Sequence, residues 1–175
     1  MKNLKFFELL AANVLLVLVM SACSGPKDPH LGEWTNTNPS PESFHTITFK
    51  KDNSATFSMG EMKMGGNHFT VMEEGIEMRM QITYEIDYEK NPAWIDITMF
   101  PVELKFSEGS EKYSSEQKQI LEQMVLTQGK QNPSRIKGII NFLSENQMEL
   151  QASEMSRPKA FDPDSDDYSL LNRNM

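Results

Sequence analysis

The chain has 175 residues, one cysteine, 38% apolar side chains and a formal charge of −8. The first 22 residues take 16 of the apolar ones, so from Cys23 onward about a third of the chain is apolar and the charge is −9. The remainder is the size of one domain. Its charge excludes a nucleic-acid surface, which needs clustered Lys and Arg, and disfavours docking on anionic lipid.

Residues 1–22 open with Lys2 and Lys5 and run into an uncharged stretch from Leu9 to Ala22. That stretch is shorter than the roughly 20 apolar residues a membrane-spanning helix needs. A basic start, a short apolar segment and small residues before a cleavage point describe a secretory signal peptide. Met20-Ser21-Ala22-Cys23 resembles the bacterial lipobox, with Met20 standing where Leu is usual. The resemblance implies that Cys23 becomes the first mature residue and carries a diacylglycerol on its thiol and an acyl chain on its amine. Together these hold far better than a single myristoyl chain. Ser24 after the cysteine resembles the pattern that routes lipoproteins to the outer membrane, facing the periplasm, where the host has two membranes. A lone cysteine cannot form an internal disulfide, so the fold must stand without covalent staples. Residues 23–30 read as a tether and 31–175 as the globular domain.

In chain order, Ile47 and Phe49 alternate with Thr46, Thr48 and Lys50, and Ala55, Phe57 and Met59 alternate with Thr56 and Ser58. Between them, Lys51-Asp52-Asn53-Ser54 reads as a hairpin turn. Gly60, Gly65, Gly66 and Gly75 mark residues 60–75 as a loop at one mouth of the domain. Ile76, Met78, Met80, Ile82, Tyr84, Ile86 and Tyr88 then alternate without a break against polar residues, the signature of a strand with one wet face. Asn91-Pro92 predicts a turn, Trp94 to Phe100 a strand ending before Pro101, and Val102, Leu104 and Phe106 a further one. Ser114 as N-cap, Gln117 three residues on, and Ile120, Leu121, Met124 and Val125 at helical spacing predict one helix near 114–128, closed by Gly129. Ile136 to Leu143 and Met148 to Ala152 form a second hairpin, and Tyr168 to Asn172 a last strand. Eight or nine antiparallel strands with one helix predict a mainly β fold, an up-and-down barrel of about eight strands, with a β-sandwich as the alternative.

Gly32-Glu33-Trp34 resembles the Gly-x-Trp with which lipocalin-like barrels open. Further pieces, Pro92-Ala93-Trp94-Ile95-Asp96-Ile97, Gly138-Ile139, Arg157-Pro158 with Phe161, and Leu171-Asn172-Arg173, resemble small bacterial proteins described as lipocalin-like and often lipid-anchored. In lipocalins the Trp closes one barrel end and an Arg from a late strand packs across it. The resemblance therefore makes Trp34 structural, with Arg157 and Arg173 as the two candidates for its partner.

Little points to catalysis. His30, His45 and His68 show no metal-ligand spacing, and no Gly-x-Ser-x-Gly elbow occurs. Asp162 to Asp167 alternates carboxylates as a calcium loop does but lacks the Gly at its sixth position and the Glu at its twelfth, so it reads as a solvated turn. Methionine is abundant, with 11 after Cys23. Met62, Met64, Phe69, Met72, Met78 and Met80 are candidates to line a pocket for a small hydrophobic ligand, because thioether side chains adapt their shape. An envelope protein partner is the other non-catalytic role. The rival chemistry is Cu(I), a soft ion suited to thioethers, held by Met59, Met62, Met64 and His68. Apart from these, no cofactor is expected.

Overall fold

The structure, a computed structural model, describes residues 28–41, 43–59, 62–65, 69–73 and 75–174. Contacts divide the chain into two units, Met1–His30 and Leu31–Met175. Cys23 and the expected leader lie outside the described residues, among which no helix is long and apolar enough to cross a membrane.

The second unit contains β1 Gly32–Asn36, β2 Thr46–Phe49, β3 Ala55–Met59, β4 Met62–Met64, β5 Phe69–Glu73, β6 Ile76–Asp87 and β7 Ala93–Phe106. The helix α1 Ser115–Gln131 follows, then β8 Ser134–Ser144, β9 Gln147–Ser153 and β10 Tyr168–Arg173. All pair antiparallel in one sheet of order β4-β3-β2-β1-β10-β9-β8-β7-β6-β5. Sequence neighbours pair throughout except β4 with β5, and β1 meets β10, so the chain is an up-and-down meander. It curls until β3 returns to β6 at a Ser54–Thr83 bridge. There the Tyr84 amide donates to Asn53 O at 3.0 Å and the Tyr84 hydroxyl to Lys50 O at 2.7 Å. Eight strands thus form a nearly closed barrel, and the short β4 and β5 extend β3 and β6 from the two sides of the seam. Gly65, just after β4, has φ +92°, and a Cβ on it would lie 2.7 Å from Ala55 O and 3.1 Å from Ile82 Cδ1. Only glycine fits that approach.

The alternating apolar residues face inward. Ile47, Phe49, Ile82, Tyr84, Ile95, Ile97, Ile140, Met148, Leu150 and Leu171 are buried in one cluster with Trp34. The Phe49 and Tyr84 rings meet edge to face at 4.8 Å. These side chains fill the barrel interior, as in small closed barrels generally.

Four expectations are corrected. Residues 60–75 are not wholly a loop, since β4 and β5 lie within them. Pro101 does not end a strand: β7 runs through it, because a bulge there opposes Met80 to Pro101 and Arg79 to Glu103, leaving Val102 extra. Proline, which cannot donate to the ladder, is tolerated at such a bulge. Gly129 does not close α1, which continues to Gln131. Tyr88 leaves the inward face, exposed in the turn after β6.

The long β9–β10 connection wraps the outer wall. Arg157 donates from Nη1 to Ile95 O (3.1 Å) and Gly138 O (2.5 Å), pairs with the Asp96 carboxylate, and stacks on Trp94 at 4.5 Å. Buried Gln151 accepts from Asp162 N (2.8 Å) and donates to Asp167 Oδ1 (2.9 Å). Within the acidic turn two carboxylates accept local hydrogen bonds, Asp162 Oδ1 from Asp164 N and Asp167 Oδ1 from Ser165 Oγ. At its end the Tyr168 hydroxyl donates to Glu149 Oε1 at 2.9 Å.

Two predictions follow from this packing. Leu150→Ala, at a fully buried site, is expected to cost about 2 to 5 kcal/mol in urea unfolding, whereas Ile120→Ala on the exposed side of α1 changes stability by no more than about 0.5 kcal/mol. Burial first, then the Glu149 hydrogen bond and charge, push the Tyr168 pKa from 10.0 up to about 12. A raised folded-state pKa gives stability that is complete below the unfolded value and is lost as pH rises from about 10 to 12. Tyr168→Phe is expected to flatten the alkaline fall in stability across that window, measured as the wild-type minus variant difference in unfolding midpoint.

Candidate functional site

Antiparallel connections alternate between the two barrel ends. The chain enters at Leu31 on the end that carries the β2–β3, β6–β7 and β8–β9 turns. The opposite end carries the β1–β2 and β9–β10 connections and α1.

The first end is sealed. Trp34 is wholly buried and faces Arg173 in register on β10, whose guanidinium lies 4.5 Å from the Trp34 ring. Phe142 packs on the other rings here, 6.2 Å from Trp34 and 6.4 Å from Tyr88. Of the two candidate arginines, Arg173 is the one on Trp34. Arg157 serves the other tryptophan, Trp94. A cation over a desolvated indole is worth about 2 kcal/mol.

The second end is less completely filled. α1 starts with a full capping box: Ser114 Oγ accepts from Gln117 N at 3.2 Å, and Gln117 Oε1 accepts from Ser114 N at 2.8 Å. Glu116 in the first turn and Lys130 in the last complement the helix dipole. No residue of α1 is buried, and Ile120 and Met124 are exposed. The helix is held to β7 at few points. A Cβ on Gly129 would lie 2.2 Å from Pro101 Cγ and 2.3 Å from its Cδ, so the helix backbone rests directly on the proline ring. Lys118 Nζ donates to Ser110 Oγ at 2.9 Å and lies 5.6 Å from the Phe106 ring.

Beneath this shallow seat is a cleft of about 410 Å³, floored by Met78, Met80, Met99 and Pro101 and covered by Val125, Gln128 and Gly129. Met80 and Met99 belong to the barrel core, while Met78 is half buried. Two candidate lining residues, Met78 and Met80, are therefore together. Met62, Met64, Phe69 and Met72 occupy β4 and β5, and their side chains lie outside what is described. The same holds for the Cu(I) set: Met59 pairs with Met62 in the ladder, but its side chain and all of His68 fall outside the described residues. Among the described residues no three His, Cys, Asp or Glu converge as a metal site would need.

Met99 and the helix residues were missed by sequence reading. Met99 sits on the inward parity of β7, a signal that was available. The contact of Gly129 with Pro101 joins residues far apart in sequence and left none.

No family model, curated protein or solved structure matches the chain.

Because α1 rests on Pro101 through a glycine, Gly129→Ala is expected to lift the helix and cost about 1 to 3 kcal/mol, as overpacking does. Amide exchange across 115–131 should accelerate in that variant while exchange in β8 and β9 stays unchanged.

Proposed function

We propose that this chain is a lipid-anchored protein of the bacterial cell envelope that binds one small hydrophobic molecule in the methionine cleft under α1 and performs no catalysis. The observation that carries the reading is the cleft itself. Three thioethers, a proline and a valine supply the apolar lining of an open cleft of about 410 Å³, within the roughly 300 to 1,000 Å³ of small-molecule sites. Thioether side chains are flexible and polarizable, so such a lining accepts ligands of varied shape. Gln128, Asn132 and Ser134 on the same cleft offer a few polar groups to orient a ligand headgroup. The remaining interior is occupied by the core, so the ligand sits at the mouth and not in the barrel centre, as a lipocalin-like pocket would have it.

The lipobox resemblance supports acylation of Cys23, and Ser24 supports the outer membrane, periplasmic side, in a host with two membranes. Residues 23–30 then serve as the tether between the lipid and the domain that begins at Leu31, and the cleft exchanges its ligand with the surrounding compartment or an envelope partner.

Native mass spectrometry of the full chain purified from bacterial membranes tests both parts. Acylation is expected to add several hundred daltons to the mature chain and to vanish in Cys23→Ser; an unacylated mature chain overturns the anchor alone. A non-covalent lipid adduct is expected on wild type and on Cys23→Ser, and its loss is expected in Met78→Lys, whose melting temperature checks folding. Absence of any adduct, or a copper adduct lost in Met62→Ala with Met64→Ala, overturns the hydrophobic-ligand reading, the latter in favour of a soft-metal site.

A further inference from the structure

A second cavity, about 440 Å³, lies on the outer wall of β6, β7 and β8, separate from the methionine cleft. Its floor is the cross-strand row Thr83, Thr98 and Arg135 and the next row Glu85, Asp96 and Lys137. The β2–β3 turn walls one flank with Asn53, fixed by the Tyr84 amide on Asn53 O. Arg157, from the β9–β10 connection, pairs with the Asp96 carboxylate on the floor.

The charges in this groove differ from those along the rest of the same wall. Toward the other end of β6 and β7 the cross-strand pairs are complementary, with Glu77 opposite Lys105 and Arg79 opposite Glu103 at 2.9 Å. In the groove Glu85 instead faces Asp96, a like-charge pair that costs stability. Lys137 is opposite Asp96, but Arg157 has taken that carboxylate. The side chains of Glu85, Arg135 and Lys137 make no ion pair or hydrogen bond among the described residues. The groove therefore presents two available cations on β8 and one available carboxylate on β6.

We propose that this groove binds a short peptide by its two charged ends, the terminal carboxylate on Arg135 and Lys137 and the terminal ammonium on Glu85. Arg135 and Lys137 share a face about 7 Å apart along β8, and β6 and β8 are about 10 Å apart across β7. An extended chain covers at most about 3.3 to 3.6 Å per residue, so the span fits three residues. The guanidinium fork of Arg135 suits a carboxylate, and the Thr98 hydroxyl beside it in register can donate to the same group.

The probe is tri-alanine, titrated calorimetrically into the full chain in detergent at low salt, beside its N-acetylated and C-amidated forms. Saturable binding is expected for the free peptide, with each blocked form weaker by about fivefold, the worth of one exposed ion pair. Glu85→Gln should abolish only the penalty of acetylation, and Arg135→Gln with Lys137→Gln only that of amidation. All three side chains are exposed, so these variants are expected to fold. No saturation below about 10 mM, or equal binding of free and blocked peptides, overturns the proposal.

Discussion

The closure of the sheet between β3 and β6 is the constraint on which everything else depends. An antiparallel sheet with one apolar face must hide that face and manage its two edges. Here a few contacts do so. Tyr84 ties its amide to Asn53 and its hydroxyl to Lys50, and its ring meets Phe49 within the core. One residue, by its backbone and its side chain, therefore fastens the β2–β3 turn to β6 and also fills the space behind it. Where β3 and β6 diverge beyond Ser54 and Thr83, Gly65 lets the chain pass close to Ala55 and Ile82. Without this seam, Ile47, Phe57 and Ile82 would face water, and the core around Trp34 would lose one wall.

Where local pattern and final packing agree, the fold was legible in the sequence. The alternation from Ile76 to Ile86 became the inner and outer faces of β6, and Ser114 with Gln117 became the capping box of α1. The failures share a cause. Pro101 and Gly129 are strong local punctuation, and by local pattern each marks an end. In the structure they are partners: the proline sits at a bulge and the glycine makes room for it. Their local cost is accepted because it lets a helix with no buried residue rest against the barrel, a tertiary reason that a local window does not contain. The strands β4 and β5 were hidden similarly, being too short and too glycine-flanked to show a period.

The candidate sites were legible to different depths. Met78 and Met80 followed from the inward parity of β6, but the cleft required α1 to be placed over them. The choice of Arg173 over Arg157 for Trp34 required the β1–β10 pairing, which joins the two ends of the domain. On the outer wall, Glu85, Asp96, Arg135 and Lys137 stand out in no local pattern. Their significance lies in the register across three strands and in the diversion of Asp96 to Arg157, neither of which alternation reveals.

The bulge at Pro101 is what allows the strands β6 and β7 to serve both sites. Up to it, odd-numbered residues of β7 face inward: Ile95, Ile97, Met99 and Pro101. Val102 is the extra residue, and beyond it the parity changes, so that buried Leu104 stands opposite Met78 and Glu103 opposite Arg79. Had β7 continued without the bulge, Glu103 would have turned into the core beside Met78 and Leu104 into water, since a slip of one residue exchanges the two faces. The extra residue keeps apolar side chains beneath the helix and charged ones outside. Substitutions at Glu85 or Lys137 consequently act on the outer groove alone, and those at Met80 or Met99 on the cleft and the core, although the two sites share the same pair of strands.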